Sequence, residues 1–248
     1  MDAQNTSESR APAAPRWLGI AVGLALPSAI TWGYFVLAAQ YSQGTQQAVY
    51  LAVKVFQFTF PLLWVCFVLR DWTAPRWLSS KGLLLGAGFS TVVVAAGWAV
   101  FNAALRGLPI FARASELILE KVAAFGIDAP WKYALLALFY SLVHSLLEEY
   151  YWRWFVFGQL RRVMPSGPAI AIAALAFAAH HVIVLAIYFG PSSPATWLLS
   201  SAVVVGGLFW AWLYERTGSL LGPWLSHLLI DAGIFWIGYD LVGSSLMK

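Results

Sequence analysis

Residues 131–158 read WKYALLALFYSLVHSLLEEYYWRWFVFG, and this stretch decides how the chain folds. As a helix rising 1.5 Å per residue, it is long enough to cross about 30 Å of hydrocarbon. Yet Glu148, Glu149 and Arg153 lie inside it. A charge at the bilayer centre costs about 2.5–3.5 kcal/mol on insertion scales, so such residues face a protein interior or a water-filled cavity. The stretch therefore predicts a membrane helix that carries a functional site.

The composition of the whole chain indicates a polytopic membrane protein in contact with the lipid bilayer. Of its 248 residues, 60% are hydrophobic and 10% are charged, whereas a soluble domain carries about 25% charged residues. The 14 tryptophans suit interfacial aromatic belts. The net charge of +4 does not predict a nucleic-acid partner, because the basic residues fall in short connections. Nothing in the sequence specifies an oligomeric state.

The hydropathy pattern predicts an all-α fold with about seven transmembrane helices, or eight. The predicted spans are 17–39, 48–69, 82–105, 131–158, 168–189, 196–214 and 220–240. Between the third and fourth spans, residues 108–125 mix apolar and charged side chains at helical spacing. This segment predicts an amphipathic helix that lies at the interface or covers a cavity, with an ordinary surface helix as the alternative.

We divide the chain into a polar N-terminal tail (1–16), N-terminal membrane helices with the amphipathic connector (17–130) and a site-bearing core (131–248). The connections at 40–47 and 190–195 contain no Lys or Arg. Basic residues such as Arg16 and Arg161 concentrate on the other side of the predicted topology. Because cytoplasmic loops are enriched in Lys and Arg, we expect a cytoplasmic N-terminus.

All four histidines lie within predicted spans: His144, His180, His181 and His227. An imidazole in lipid needs a polar partner, so four in such positions are hard to explain as separate packing residues. In the predicted topology Glu148, His181 and His227 lie roughly 10–20 Å from the same side of the bilayer at 1.5 Å per residue. These depths allow the three side chains to meet.

Helical spacing gives the two carboxylates different neighbours. Glu149 and Arg153 are four residues apart, which predicts an ion pair with a structural role. Glu148 lies about 100° around the helix and is placed over His144 instead. With less compensation by a cation, Glu148 is the better candidate for a general base.

The last predicted span contains another pair with helical spacing, His227 and Asp231. The carboxylate lies four residues after the histidine, on the same helix face. It can therefore orient the imidazole or bind a ligand beside it.

Three motifs in this order resemble those of the CPBP family of intramembrane proteases, the CAAX proteases and bacteriocin-processing enzymes, which includes the type II CAAX prenyl endopeptidases. The motif Glu-Glu-x-x-x-Arg is at residues 148–153, Phe-x-x-x-His at 177–181, and His-x-x-x-Asn/Asp at 227–231. The spacing of the second motif selects His181 rather than His180. The resemblance covers roughly residues 131–240.

The resemblance implies a glutamate-dependent endopeptidase that cleaves membrane-associated proteins or peptides. Glu148 and His181 would activate a water, and His227 with residue 231 would stabilise the oxyanion. The commoner Asn donates a hydrogen bond, whereas an ionised Asp231 cannot, so here the carboxyl group must be protonated, orient His227 or bind metal. A bacterial inner membrane suits a compact seven-span chain.

The other motif residues and the cofactor complete the hypothesis. Glu149 and Arg153 would clamp the site, Phe177 would shape it, and His144 would support Glu148. We expect no cofactor; the alternative is zinc, whose candidate ligands are Glu148, His181, His227 and Asp231. The zincin pattern His-Glu-x-x-His is absent from the sequence.

Three other functions compete with metal-free proteolysis. They are a zinc-dependent intramembrane protease, a non-proteolytic scaffold or immunity protein of the same fold, and a proton-coupled transporter. The transporter hypothesis is weakened because many transporters contain internal repeats, and no repeat stands out in this sequence.

Overall fold

The computed structural model describes residues 13–71 and 80–246; residues 1–12 of the predicted polar tail lie outside the described residues. Within these ranges the chain forms helices and no strand, which confirms the all-α prediction. The helices are α1 (Ala13–Gln40), α2 (Gln43–Leu69), α3 (Leu83–Leu105), α4 (Pro109–Ala124), α5 (130–160), α6 (Ser166–Phe189), α7 (Pro194–Thr217) and α8 (Leu221–Leu246).

Six of these helices are long and apolar enough to cross a membrane, namely α1–α3 and α6–α8, and the chain is an integral membrane protein. The fourth predicted span, 131–158, is present as α5, a continuous helix with two wide π-helical segments. Its own composition is less apolar because it carries the site's charged and polar residues. With α5 counted, the arrangement agrees with the prediction of about seven spans.

Residues at the helix boundaries explain where several helices begin and end. Ser42 caps α2 by accepting a hydrogen bond from the backbone N–H of Thr45. Pro130 occupies the first turn of α5, where its missing N–H leaves no helical bond unmade. Gly218 ends α7 in the left-handed conformation with a φ of 64°, which glycine adopts without strain.

Helix α4 is the amphipathic helix that the sequence predicts between the third and fourth spans. Its buried side chains, Phe111, Ala114 and Val122, share one face, whereas the charged Glu116 and Glu120 are exposed. Phe111 packs edge-on against Phe189 of α6, with ring centroids 5.2 Å apart. The Ser115 hydroxyl donates to the carbonyl of Leu241 in α8. Helix α4 therefore lies across one end of the bundle, which we call the α4 end.

A cluster of charged and amide side chains joins three helices at the opposite end, which we call the Arg16 end. The Arg16 guanidinium donates to Gln159 of α5 at 2.5 Å and to Asp71, just after α2, at 3.0 Å. Arg162 also donates to Asp71. This network fixes the start of α1 and the segment after α2 against the last turn of α5.

The C-terminal half of α5 forms the centre of the core. All residues from Tyr150 to Phe157 are buried, and they pack against Ile20 of α1, Phe60 of α2 and Trp210 of α7. The Tyr151 hydroxyl donates to the carbonyl of Gly23 in α1 at 2.9 Å. By contrast, most side chains in the second half of α3 are exposed, as expected for a helix that faces lipid.

Candidate functional site

The two carboxylates lie on one short α-helical turn between the π-helical segments of α5. The first segment covers Tyr140–His144 and the second Tyr150–Phe157. π-Helical turns are rare and frequently occur at functional sites. The side chain of Glu149 is 0% exposed and that of Glu148 is 4% exposed, so both carboxylates point into the protein.

The Glu149 carboxylate is enclosed by groups of opposite charge or hydrogen-bonding capacity. Its Oε2 lies 3.0 Å from Nε of Arg153, which is the ion pair that the sequence predicts. Its Oε1 accepts a hydrogen bond from Nδ1 of His227 in α8 at 2.8 Å. The spacing of four residues predicts the contact with Arg153. The contact with His227 joins residues that are 78 positions apart in the sequence, and sequence reasoning missed it.

Arg153 is held by charge and by aromatic faces. Although its Nε is close to Glu149, the angle does not meet hydrogen-bond geometry, and no guanidinium nitrogen has a hydrogen-bond partner among the described residues. The guanidinium carbon lies 4.9 Å from the ring centroid of Phe177 and 5.1 Å from that of Trp210. Cation–π attraction thus accompanies the ion pair.

The Glu148 carboxylate is surrounded by three imidazoles at longer distances. Its Oε1 is 3.5 Å from Nε2 of His180 and 4.0 Å from Nε2 of His144, and its Oε2 is 3.7 Å from Nε2 of His227. The Glu148–His144 neighbourhood is the one that the sequence predicts. These contacts are longer than ordinary charge-assisted hydrogen bonds of about 2.7–2.9 Å, so the carboxylate keeps acceptor capacity that these imidazoles do not fill.

His227 connects the two carboxylates. Its Nδ1 faces Glu149 and its Nε2 faces Glu148 and, at 3.6 Å, Oδ1 of Asp231. Because a carboxylate only accepts, Nδ1 carries the proton, and Nε2 is an acceptor in the neutral ring or a donor in the charged ring. The predicted pair of His227 and Asp231 is thus close together.

The neighbouring histidines of α6 have different contacts. Nε2 of His180 approaches Glu148, and its ring is parallel to that of Trp152 at 6.0 Å. Nδ1 of His181 is 3.0 Å from the carbonyl oxygen of Phe177, to which it donates, so Nε2 of the neutral ring is free to accept. The two imidazole centroids are 4.1 Å apart. The structure therefore brings His180 into contact with Glu148 and leaves His181 beside it.

Phe177 and Trp210 form the aromatic floor of the site. The ring centroid of Phe177 lies 4.8 Å from that of His181 and 5.9 Å from that of His227. Trp210 stacks on His227 at 4.2 Å, and its indole N–H donates to Ser226. Sequence reasoning selected Phe177 but missed Trp210, because a tryptophan in α7 carries no local signal in a chain with 14 of them.

Access to the site differs between its two sides. The side chains of His144 and Asp231 are each 19% exposed, whereas the Glu149 side chain is completely buried. The site is therefore more open beside His144 and Asp231 than beside Glu149, which is closed.

Zinc ligation is the alternative use of the polar side chains in this site. Within the described residues, no group of three His, Cys, Asp or Glu side chains is arranged to hold a metal ion. Of the four candidate ligands Glu148, His181, His227 and Asp231, His227 donates Nδ1–H to Glu149, which leaves Nε2 as its nitrogen for any metal. The mechanism proposed below uses the side chains alone, with zinc as the alternative.

Comparison with known proteins identifies the segment that carries this site. A family model described as type II CAAX prenyl endopeptidase Rce1-like matches residues 130–233, from the first residue of α5 into α8. No curated protein and no solved structure matches the chain. Over residues 130–233, the family match confirms the resemblance to the type II CAAX prenyl endopeptidases that the three motifs indicate.

Proposed function

We propose that this protein is an intramembrane endopeptidase of the CAAX type in which Glu148 is the general base. The observation that carries the proposal is the loose contact of Glu148 with three imidazoles at 3.5–4.0 Å, on the accessible side of a buried site. A water there can bind to the carboxylate and an imidazole at once. The family match supports the same class of reaction.

The proposed reaction is hydrolysis of a peptide bond. Glu148 takes a proton from the water as its oxygen attacks the scissile carbonyl carbon. The proton then passes to the leaving nitrogen when the C–N bond breaks, giving a carboxylic acid and an amine. His181 assists through Nε2, which its bond to the Phe177 carbonyl leaves as an acceptor for the water. His180 holds Glu148 in position.

We assign stabilisation of the oxyanion to His227 and Asp231. With Nδ1 bound to Glu149, a charged His227 presents its Nε2–H to the developing oxyanion. Asp231 adds a second donor only when its carboxyl group is protonated, since an ionised carboxylate cannot donate. In its ionised form it instead orients the imidazole across the 3.6 Å separation.

The fold and the positions of the basic residues support a proposal for the membrane and the orientation in which the reaction occurs. We propose a bacterial inner-membrane enzyme with a cytoplasmic N-terminus, which acts on membrane-associated proteins or peptides. The Arg16 end then faces the cytoplasm, and Arg16 and Arg162 support this orientation.

The test compares wild type with Glu148→Gln, reconstituted in liposomes and incubated with a library of lipid-anchored peptides. We expect the isosteric amide to lower the cleavage rate about 10²–10⁴-fold, the usual contribution of a general base. Glu120→Gln, which changes an exposed glutamate of α4, is the matched control and should cleave normally.

The same pair of variants can be compared in cells. Mass spectrometry of the termini of membrane proteins should reveal peptides that depend on Glu148. Equal cleavage by wild type and Glu148→Gln, in liposomes and in cells, would contradict the proposal and favour a scaffold.

A further inference from the structure

A lysine lies on the inward face of α2, deep in the predicted bilayer. Lys54 is eleven residues after the start of α2 at Gln43, which corresponds to about 16 Å along the helix. It shares a face with Gln57 and Pro61, which are both buried, whereas the opposite face of α2 exposes apolar side chains to lipid. The Lys54 side chain therefore faces the protein interior.

The ammonium of Lys54 has polar and aromatic contacts and no acidic partner. Its Nζ donates to Oε1 of the buried Gln57 at 3.2 Å and lies 5.6 and 5.7 Å from the ring centroids of Tyr50 and Phe58. No described Asp or Glu forms an ion pair with it. A cation in this position is costly to maintain without a direct counter-charge, so Lys54 is a candidate anion-binding group.

Lys54 adjoins the candidate site. The ring of Phe58, beneath the ammonium, meets that of His144 edge-on at 6.1 Å, and His144 adjoins Glu148. A group bound to Lys54 would therefore be near a peptide bond held at Glu148, on the accessible His144 side.

A cavity lies at the α4 end of the bundle. It has a volume of about 210 Å³ and is lined by Tyr34, Gln43, Gln46, Gln47, Lys121, Ala124 and Phe125. The lining contains a lysine and no acid, so it favours entry of an anion. Tyr34 contacts the ring of Tyr50 at 4.4 Å, and Tyr50 lies beneath the ammonium of Lys54. The contacts of Tyr34 and Tyr50 thus connect the cavity, which Lys121 lines, with Lys54.

We infer that Lys54 is a specificity-determining residue that binds a substrate carboxylate close to the scissile bond. The carboxylate is either the free C-terminus of the substrate or an acidic side chain. Gln57 positions the ammonium, and the two aromatic rings exclude water from the ion pair. This inference rests on the proposed peptidase activity, which it deepens by giving the substrate an anionic group that enters from the α4 end.

The first experiment measures cleavage in liposomes. Lipid-anchored peptide libraries are prepared with a free C-terminal carboxylate, with a C-terminal amide, and with a C-terminal amide plus one Asp at varied positions. We expect wild type to cleave one of the two acidic libraries about ten- to hundredfold faster than the plain amide, as for a hydrogen bond to a charged group. The preferred acidic library identifies the source of the carboxylate.

Variants distinguish anion binding from a general effect on Glu148. Lys54→Met should cleave acidic and amide libraries at the same rate, and Lys54→Arg should recover part of the preference. Lys132→Met, which removes a lysine at the start of α5, should leave the preference unchanged. A loss of rate by Lys54→Met that is equal for all libraries, or a wild-type enzyme without preference, would overturn the inference.

A binding experiment separates this inference from the proposed activity. Purified Glu148→Gln, which cannot use its general base, is titrated with the same libraries, and the dissociation constants are compared with those of Glu148→Gln/Lys54→Met. Preferential binding of an acidic library that requires Lys54 supports the anion site even if no cleavage occurs. Equal binding of all libraries by Glu148→Gln would overturn it, whatever the outcome of the cleavage assay.

Discussion

The Glu149 side and the Glu148 side of α5 differ in how closely their polar groups approach. On the Glu149 side the contacts with His227 and Arg153 are 2.8 and 3.0 Å, and the carboxylate is fully buried. On the Glu148 side the nearest imidazole nitrogens are 3.5, 3.7 and 4.0 Å away. The two adjacent glutamates therefore differ: Glu149 has a closed environment and Glu148 has a more open one.

The difference indicates how a membrane protein can keep a reactive carboxylate in its interior. Glu149, Arg153 and the Nδ1 side of His227 form a rigid unit that places the imidazole. Glu148 is left with unused acceptor capacity beside that unit, because its neighbours stop short of direct hydrogen bonds. In the proposed mechanism, tight contacts thus mark the supporting carboxylate, and loose contacts mark the one that acts as the base.

The largest expected effect tests the supporting role of Glu149. Glu149→Gln keeps the shape of the side chain but leaves Arg153 without its counter-charge. Removal of one partner of a buried ion pair costs about 3–5 kcal/mol, so the free energy of unfolding should fall by that amount. Glu148→Gln should unfold close to wild type. Thermal and denaturant unfolding in detergent measures the stability of both variants. Equal destabilisation by the two variants would contradict the proposed difference between Glu149 and Glu148.

A second prediction concerns the two histidines of α6. His181→Ala should lower the cleavage rate about a hundredfold, the low end of general acid–base assistance. His180→Ala should lower it about tenfold, as expected for a residue that positions another. Initial rates at saturating peptide measure both effects. The reverse order would assign the water-activating role to His180, whose contact with Glu148 is direct.

A smaller effect is expected where α6 and α7 pack beneath the aromatic floor. A Cβ on Gly207 would lie 3.1 Å from Cα and Cβ of Ala174 and 3.3 Å from the Phe177 ring. Gly207→Ala should therefore destabilise the protein by about 1–3 kcal/mol through overpacking. Gly88→Ala, at a position in α3 where nothing lies within 4 Å, is the control. If Gly207→Ala unfolds like Gly88→Ala, the floor is not tightly packed.

The smallest expected effect concerns Asp231. Asp231→Asn supplies the amide donor that the related motif commonly has, so the cleavage rate should stay within about tenfold of wild type. Asp231→Ala supplies neither a donor nor an acceptor and should lower the rate further. Steady-state kinetics of both variants separate these outcomes. Inactive Asp231→Asn would show that the carboxylate itself is required beside His227.

Contacts within one helix were predictable from the sequence because helical spacing fixes which side chains are neighbours. The Glu149–Arg153 ion pair and the approach of His144 to Glu148 follow from separations of four residues. The order of the spans and the amphipathic α4 follow from hydropathy. The proposed division of labour between the two carboxylates also began from this spacing.

Contacts between helices were not predictable because they depend on how each helix is rotated about its axis. One residue corresponds to about 100° of rotation, so the motif spacing that selects His181 does not determine which histidine faces Glu148. The bond between Glu149 and His227 depends on the packing of α8 against α5. Likewise, the π-helical segments of α5 break the regular period on which sequence reasoning relies.

The unusual composition of α5 has a consequence for biogenesis. Because Glu148, Glu149 and Arg153 each disfavour entry into lipid, α5 is poorly suited to leave the translocon as an isolated segment. Helices α1–α3 precede it during synthesis, and α1 supplies the Gly23 carbonyl and the Arg16 guanidinium to which α5 binds. We therefore expect the N-terminal helices, which lie outside the family match, to provide polar contacts that favour insertion of the helix bearing the two carboxylates.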